Sequence, residues 1–136
     1  MTKEVHKIVR QSGEHRIIIA NSATSIDENN KNDVVVDGSH CGLNVADYML
    51  KAGARGMIGN DAGSGLENAG VASLKRLEEH GIPAAAVAAM SAEIGVGAST
   101  YEEGVVSVVN GVAKKLGVTA GMSAKEAADK MFEGMS

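Results

Sequence analysis

Asp37-Gly38-Ser39-His40-Cys41-Gly42 places a carboxylate, a hydroxyl, an imidazole and the only thiol of the chain in six consecutive residues. An imidazole exchanges protons near neutral pH, so His40 is the candidate general acid or base. Cys41 opens a helical pattern, and the partial positive charge of a helix N-terminus favours a thiolate, so it is a candidate nucleophile. The competing reading of Cys41 is a small buried hydrophobe. Asp37 can orient His40 or hold a substrate hydroxyl; equally, it suits a turn in which the side chain accepts from its own backbone. The glycines on either side let the chain turn sharply and let a ligand come close. Adjacency does not make His40 and Cys41 face one another, so spacing alone does not define a dyad.

Three other polar stretches carry groups of the same kind. Asn60-Asp61-Ala62-Gly63-Ser64-Gly65 offers Asp61 as a further catalytic carboxylate and Asn60 and Ser64 as substrate-holding groups. Asn21 to Ser25 offers Ser22, and Ser91-Ala92-Glu93 offers Ser91 and Glu93; with Ser39 these complete the substrate-binding set. Glu67, Glu102 and Glu126 are set apart, because each closes an S-x-x-E spacing that caps a helix start. The glycine-rich 59–65 stretch lacks the third glycine of a dinucleotide fingerprint and no G-x-x-x-x-G-K-[ST] occurs, so no nucleotide is indicated. His6, His15, His40 and His80 show no metal-ligand spacing. No cofactor and no metal are therefore expected.

The elements that must position these groups follow from the apolar pattern. Ile17-Ile18-Ile19, Val34-Val35-Val36, Gly56 to Gly59 and Ile82 to Ala89 read as four strands, each followed by one of the polar stretches. Helices are expected from near Asn44 to Gly53, from Ser64 to Gly81, from Ser99 through Val105 to Leu116 with a stop at Gly117, and from Ser123 onward. Residues 2–11 fit a short helix or a strand paired across Gly13. Asp27 to Asp33 reads as an exposed, mobile loop. Alternating strands and helices imply a single α/β domain over 1–136: three layers, with a mostly parallel sheet of about four strands covered by helices on both faces, Rossmann-like or flavodoxin-like. Ligands of such sheets bind beyond the carboxyl ends of the strands, where the four polar stretches would converge.

Composition bounds the function. The 136 residues are 44% apolar and 22% charged, enough for one core, and only Tyr48, Tyr101 and Phe132 are aromatic. A net charge of −4 without a basic cluster disfavours nucleic acid as a partner. No stretch has the length and hydropathy of a membrane span or signal peptide, and a lone cysteine suits a reducing compartment; a cytoplasmic protein with no membrane partner is expected. The apolar Val105 to Leu116 segment, read as a helix apolar on more than one face, predicts a homo-oligomer. The combined expectation is a small enzyme without redox cofactor. It would act on a small polar metabolite of carboxylate or amide type by acid–base or cysteine-assisted hydrolase or lyase chemistry. The alternatives are an oligomeric small-ligand-binding or regulatory module and one subunit of a larger enzyme.

Overall fold

In the computed structural model, residues 6–62 and 72–134 are described. Among them the chain forms β1 (Lys7–Ser12), β2 (His15–Ala20), β3 (Asp33–His40), α1 (Leu43–Ala52), β4 (Gly56–Asn60), α2 (Ala72–Glu79), β5 (Ala84–Val87), α3 (Gly97–Glu103), β6 (Val106–Val109), α4 (Gly111–Lys115) and α5 (Ala124–Gly134). The four strands expected from the apolar runs are β2 to β5, and each is parallel to its neighbour. Two further strands correct the expected count: β1 and β6 add antiparallel edges, making a six-stranded mixed sheet ordered β1-β2-β3-β4-β5-β6. That order follows the chain without the reversal that creates a crevice in Rossmann and flavodoxin sheets.

Side chains alternate along each strand, and the two parities enter separate apolar clusters. Ile18, Val35, Met57, Ala84 and Ala86 join Val45, Ala46 and Met49 of α1 and Leu74 and Leu77 of α2. Ile17, Val34, Val36, Ile58, Ala85 and Val87 join Ala113 of α4 and Ala127, Ala128, Met131 and Phe132 of α5. Burial of both parities explains why the sequence shows continuous β-branched runs rather than alternation. The helix stops at Gly53 and Gly81 are as the sequence implies. Both glycines have φ of 75°, and each helix closes with a pair of bonds, Ala54 N–H to Met49 O and Gly53 N–H to Leu50 O at one, Ile82 N–H to Leu77 O and Gly81 N–H to Glu78 O at the other.

Several expectations are corrected. Residues 7–12 take the strand alternative, a hairpin turned at Gly13 rather than a helix. The stretch from Val105 to Leu116 is not one helix. Its dense β-branched residues build β6, whose Val106 N–H donates to Met122 O, and Asn110 then caps α4 by accepting from Ala113 N–H. The inference of self-association from that helix loses its basis. Ser99 does not cap a helix start: α3 begins two residues earlier, and the Ser99 hydroxyl accepts from Glu93 N–H and donates to Glu103. Asp27 to Asp33 is not a plain exposed loop, because Asp27 and Asn30 form a reciprocal cap that buries Asn30. The spacing from Ser64 to Glu67 lies outside the described residues. The Ser123 cap holds through the bond from Glu126 N–H at 3.2 Å.

Candidate functional site

The polar loops that follow β2, β3, β4 and β5 meet at the carboxyl edge of the parallel strands, and they are bonded to one another. Gly38 N–H donates to Asn21 O (3.2 Å), Gly95 N–H to Gly38 O (2.7 Å), Gly97 N–H to the Asn21 side chain (3.0 Å) and Cys41 N–H to Asn60 O (3.1 Å). A Cβ on Gly38 would collide with the backbone of Gly95 and Val96. The close approach that Gly38 permits is thus used by another loop of the same chain, not by a ligand. Between Val36 and His40 the ladder slips: Val36 faces Ile58 while His40 faces Asn60. This bulge carries Asp37, Gly38 and Ser39 and re-aims the chain ahead of His40.

Most of the candidate groups are committed inside this mesh. Asp37 is fully buried, and its Oδ1 accepts from Ser39 N–H at 2.9 Å, the turn geometry that competes with a catalytic role. Asp61 is nearly buried; Oδ1 accepts from Ala89 N–H (3.0 Å) and Oδ2 from the Ser107 hydroxyl (2.6 Å), tying the end of β4 to the loop after β5 and to β6. Asn60 accepts from Ala62 N–H at 2.7 Å and reaches Ala92 O at 3.4 Å. The Ser39 hydroxyl accepts from Ala23 N–H, Ser22 caps the turn at Ala23–Ser25, and Ser91 donates to Ala88 O while accepting from Val105 N–H. Ser64 lies outside the described residues.

Cys41 is fully buried, with its carbonyl held by the amide and hydroxyl of Ser73. Burial, reinforced by the charges of Asp37 and Asp61, pushes its thiol well above the ordinary value, and a backbone hydrogen bond from Gly59 only partly opposes this. Such a cysteine stays protonated at neutral pH, the reverse of what a nucleophile needs. Its Sγ occupies the space over Gly59, where an added Cβ would stand 2.6 Å away.

Two candidates remain outward. His40 is exposed, and its Nδ1 accepts from Gly42 N–H at 3.0 Å. A ring nitrogen that accepts from an amide carries no proton, so the neutral ring must hold its proton on Nε2. His40 therefore presents an N–H donor at the rim of the edge. Glu93 is exposed with only its backbone engaged among the described residues, and the bond between Gly95 and Gly38 lays its loop against the one that carries His40. Sequence reasoning missed Asn21, Ser73, Ser99 and Ser107, each of which anchors a loop through a partner at least six residues away. No local pattern signals such pairings.

A concavity of about 920 Å³ lies elsewhere, between α2 and β6, with Leu74 and Val108 among its apolar lining and Lys75, Glu78 and His80 among its polar lining. It meets the His40 region only through Leu43. Among the described residues no group of three or more His, Cys, Asp and Glu is placed to hold a metal ion, and no helix is long and apolar enough to cross a membrane. Comparison of the chain with models of protein families, with curated proteins and with solved structures gave no match.

Proposed function

We propose that the carboxyl edge of β2 to β5 is the active site of a small cytoplasmic enzyme that acts on a polar metabolite of carboxylate or amide type. The reaction is acid–base chemistry of the hydrolase or lyase kind. His40 is the electrophilic donor: its Nε2–H hydrogen-bonds a substrate oxygen as charge develops there and keeps its proton, because a neutral imidazole is too weak an acid to give it up. Glu93 supplies the proton acceptor from the adjoining loop. Asp37, Asp61, Asn60 and Ser91 hold the loops, Ser39 and Ser22 line the approach, and Cys41 is wall rather than nucleophile. The two apolar clusters support reading the domain as three layers, with this edge as the rim of the middle one.

The observation that carries this reading is the bond from Gly42 N–H to His40 Nδ1, which makes the ring a donor in its neutral form. Its test has two parts. Long-range ¹H–¹⁵N spectra of the imidazoles should show His40 with Nδ1 bare and Nε2 protonated; a dominant Nδ1–H form refutes the assignment. Screening with small amides and carboxylates should then find turnover that falls at least ~100-fold in His40→Ala. Partial recovery is expected in His40→Gln, whose amide also donates.

A ligand-binding module is the second reading, favoured by the internal bonds that occupy Asp37, Asp61, Asn60 and Ser91. Saturable binding of a screened compound without turnover, in both wild type and His40→Ala, selects it.

A further inference from the structure

At the opposite, amino edge of the sheet, two arginines at the starts of β2 and β4, the strands on either side of β3, are treated differently. Arg16 grips Asp33 with the edge of its guanidinium, Nε to Oδ1 at 2.9 Å and Nη2 to Oδ2 at 2.6 Å, and Asn30 adds a third bond to the same buried carboxylate at 3.1 Å. Arg55 is equally constrained: its backbone N–H donates to Asp33 O at 2.7 Å, and the residue is only 9% exposed. Its Nη1 donates to His15 Nδ1 at 2.7 Å. The remaining pair, Nε and Nη2, is buried without an acceptor among the described residues.

These are the same two nitrogens that Arg16 uses on Asp33. A guanidinium does not lose its proton under ordinary conditions, so the charge and both N–H groups persist inside the fold. Buried charges are ordinarily paired. The carboxylate on the adjoining strand is already taken by Arg16 and Asn30. His15 cannot supply the counter-charge either, since an imidazole that accepts a bond brings no negative charge.

We propose that the Nε–Nη2 edge of Arg55 is a binding site for an oxyanion with two coplanar oxygens, a carboxylate or phosphate group, entering past the half-buried His15 ring. The fork geometry gives two parallel charge-assisted bonds to such a group, which a point charge does not reproduce. The site is independent of the His40 edge and stands or falls separately from it.

The test is titration of ¹⁵N-arginine-labelled protein with sodium phosphate and, separately, sodium acetate, each against sodium chloride at matched ionic strength. The chain has four arginines, Arg10, Arg16, Arg55 and Arg76, and the Nε–H signal missing in Arg55→Lys identifies the one in question. A saturable shift of that signal with phosphate, acetate or both is expected, and the more effective salt tells whether the natural group is phosphate or carboxylate. Arg55→Lys, which keeps the charge but not the fork, should bind the effective anion about tenfold more weakly or worse by thermal shift. If that variant does not fold, backbone-linked assignment of the Nε–H signal in wild type replaces it. Absence of any shift beyond the chloride control, or equal affinity in Arg55→Lys, overturns the proposal.

Discussion

Replacing Gly59 with alanine, alone and together with Cys41→Ala, tests the packing that defines the carboxyl edge. The new methyl would stand 2.6 Å from Cys41 Sγ, 3.0 Å from Ser39 O and 3.3 Å from Asp37 Oδ1. An unstrained carbon–sulfur contact needs about an ångström more, and relief must come from side chains locked in a buried cluster, so Gly59→Ala should destabilise by about 2 kcal/mol. Cys41→Ala removes a fully buried sulfur and should cost about 1–2 kcal/mol through lost contacts and the cavity left behind. Were the two independent, the double variant would lose about 3–4 kcal/mol. Because Sγ is the atom the methyl strikes first, the methyl instead fills the vacated space, and the double variant should lose only about 2 kcal/mol, a coupling of roughly 1.5 kcal/mol. Urea unfolding of the four proteins with a common m-value measures this. Losses that add to within about 0.5 kcal/mol would show that Cys41 does not pack on Gly59, and the wall assignment would fail with it.

The same thiol makes a pH prediction. Its folded-state pKa is raised well above 9.0, so above pH 9.0 the unfolded chain releases a proton that the folded protein retains. The contribution is intact below that pH, and stability must fall as pH rises beyond it, by up to about 1.4 kcal/mol per unit relative to Cys41→Ala. Parallel urea midpoints for the two proteins from pH 8 to pH 10.5 would contradict this. Asp61→Ala strands the half-buried Ala89 amide and leaves the Ser107 hydroxyl only its longer bond to Ala86 O, and should cost about 2 kcal/mol, whereas Asp61→Asn keeps an acceptor for the amide and an N–H for the hydroxyl and should cost about 1 kcal/mol. If instead Asp61→Ala unfolds at nearly the wild-type urea concentration, the carboxylate is not the tie described.

How much of this was readable in the sequence depends on the range of the interaction. The four parallel strands were legible because burial on both faces leaves an apolar run, β-branched in β2 and β3, alanine-rich in β5 and bracketed by glycines in β4. The stops at Gly53 and Gly81 were legible because a left-handed backbone there needs only the glycine itself. The Val105 to Val109 run was misread for a physical reason: a short apolar stretch buried in part on both sides has no period that separates helix from strand. What settles it lies outside the stretch, in the bond from Val106 N–H to Met122 O and in the four bonds of buried Asn110 to Ala84, Ala113, Leu74 and Ile82. That polar loops would meet at the carboxyl edge was legible from the four polar stretches, yet the roles of the groups within them were not. Asp37, Asp61 and Ser91 look the same in sequence whether they face a ligand or another loop, and only the partners decide.

Those partners also bear on the kind of ligand each end of the sheet can take. At the carboxyl edge the charges of Asp37 and Asp61 both push the Cys41 thiol up, so their negative potential is felt inside the loops. A carboxylate substrate brought to His40 must approach against that potential, with one neutral N–H donor to receive it. An amide bears no net charge, and its carbonyl oxygen accepts from Nε2–H without that penalty, so of the two substrate types the amide is favoured. The amino edge has the opposite balance: Arg55 is buried with a fork unfilled among the described residues, and the Asp33 carboxylate on the adjoining strand is already neutralised by Arg16. An anion that binds this protein should therefore compete at Arg55 and not at His40. Titrating phosphate against a His40-directed amide ligand should accordingly show the two binding without mutual exclusion.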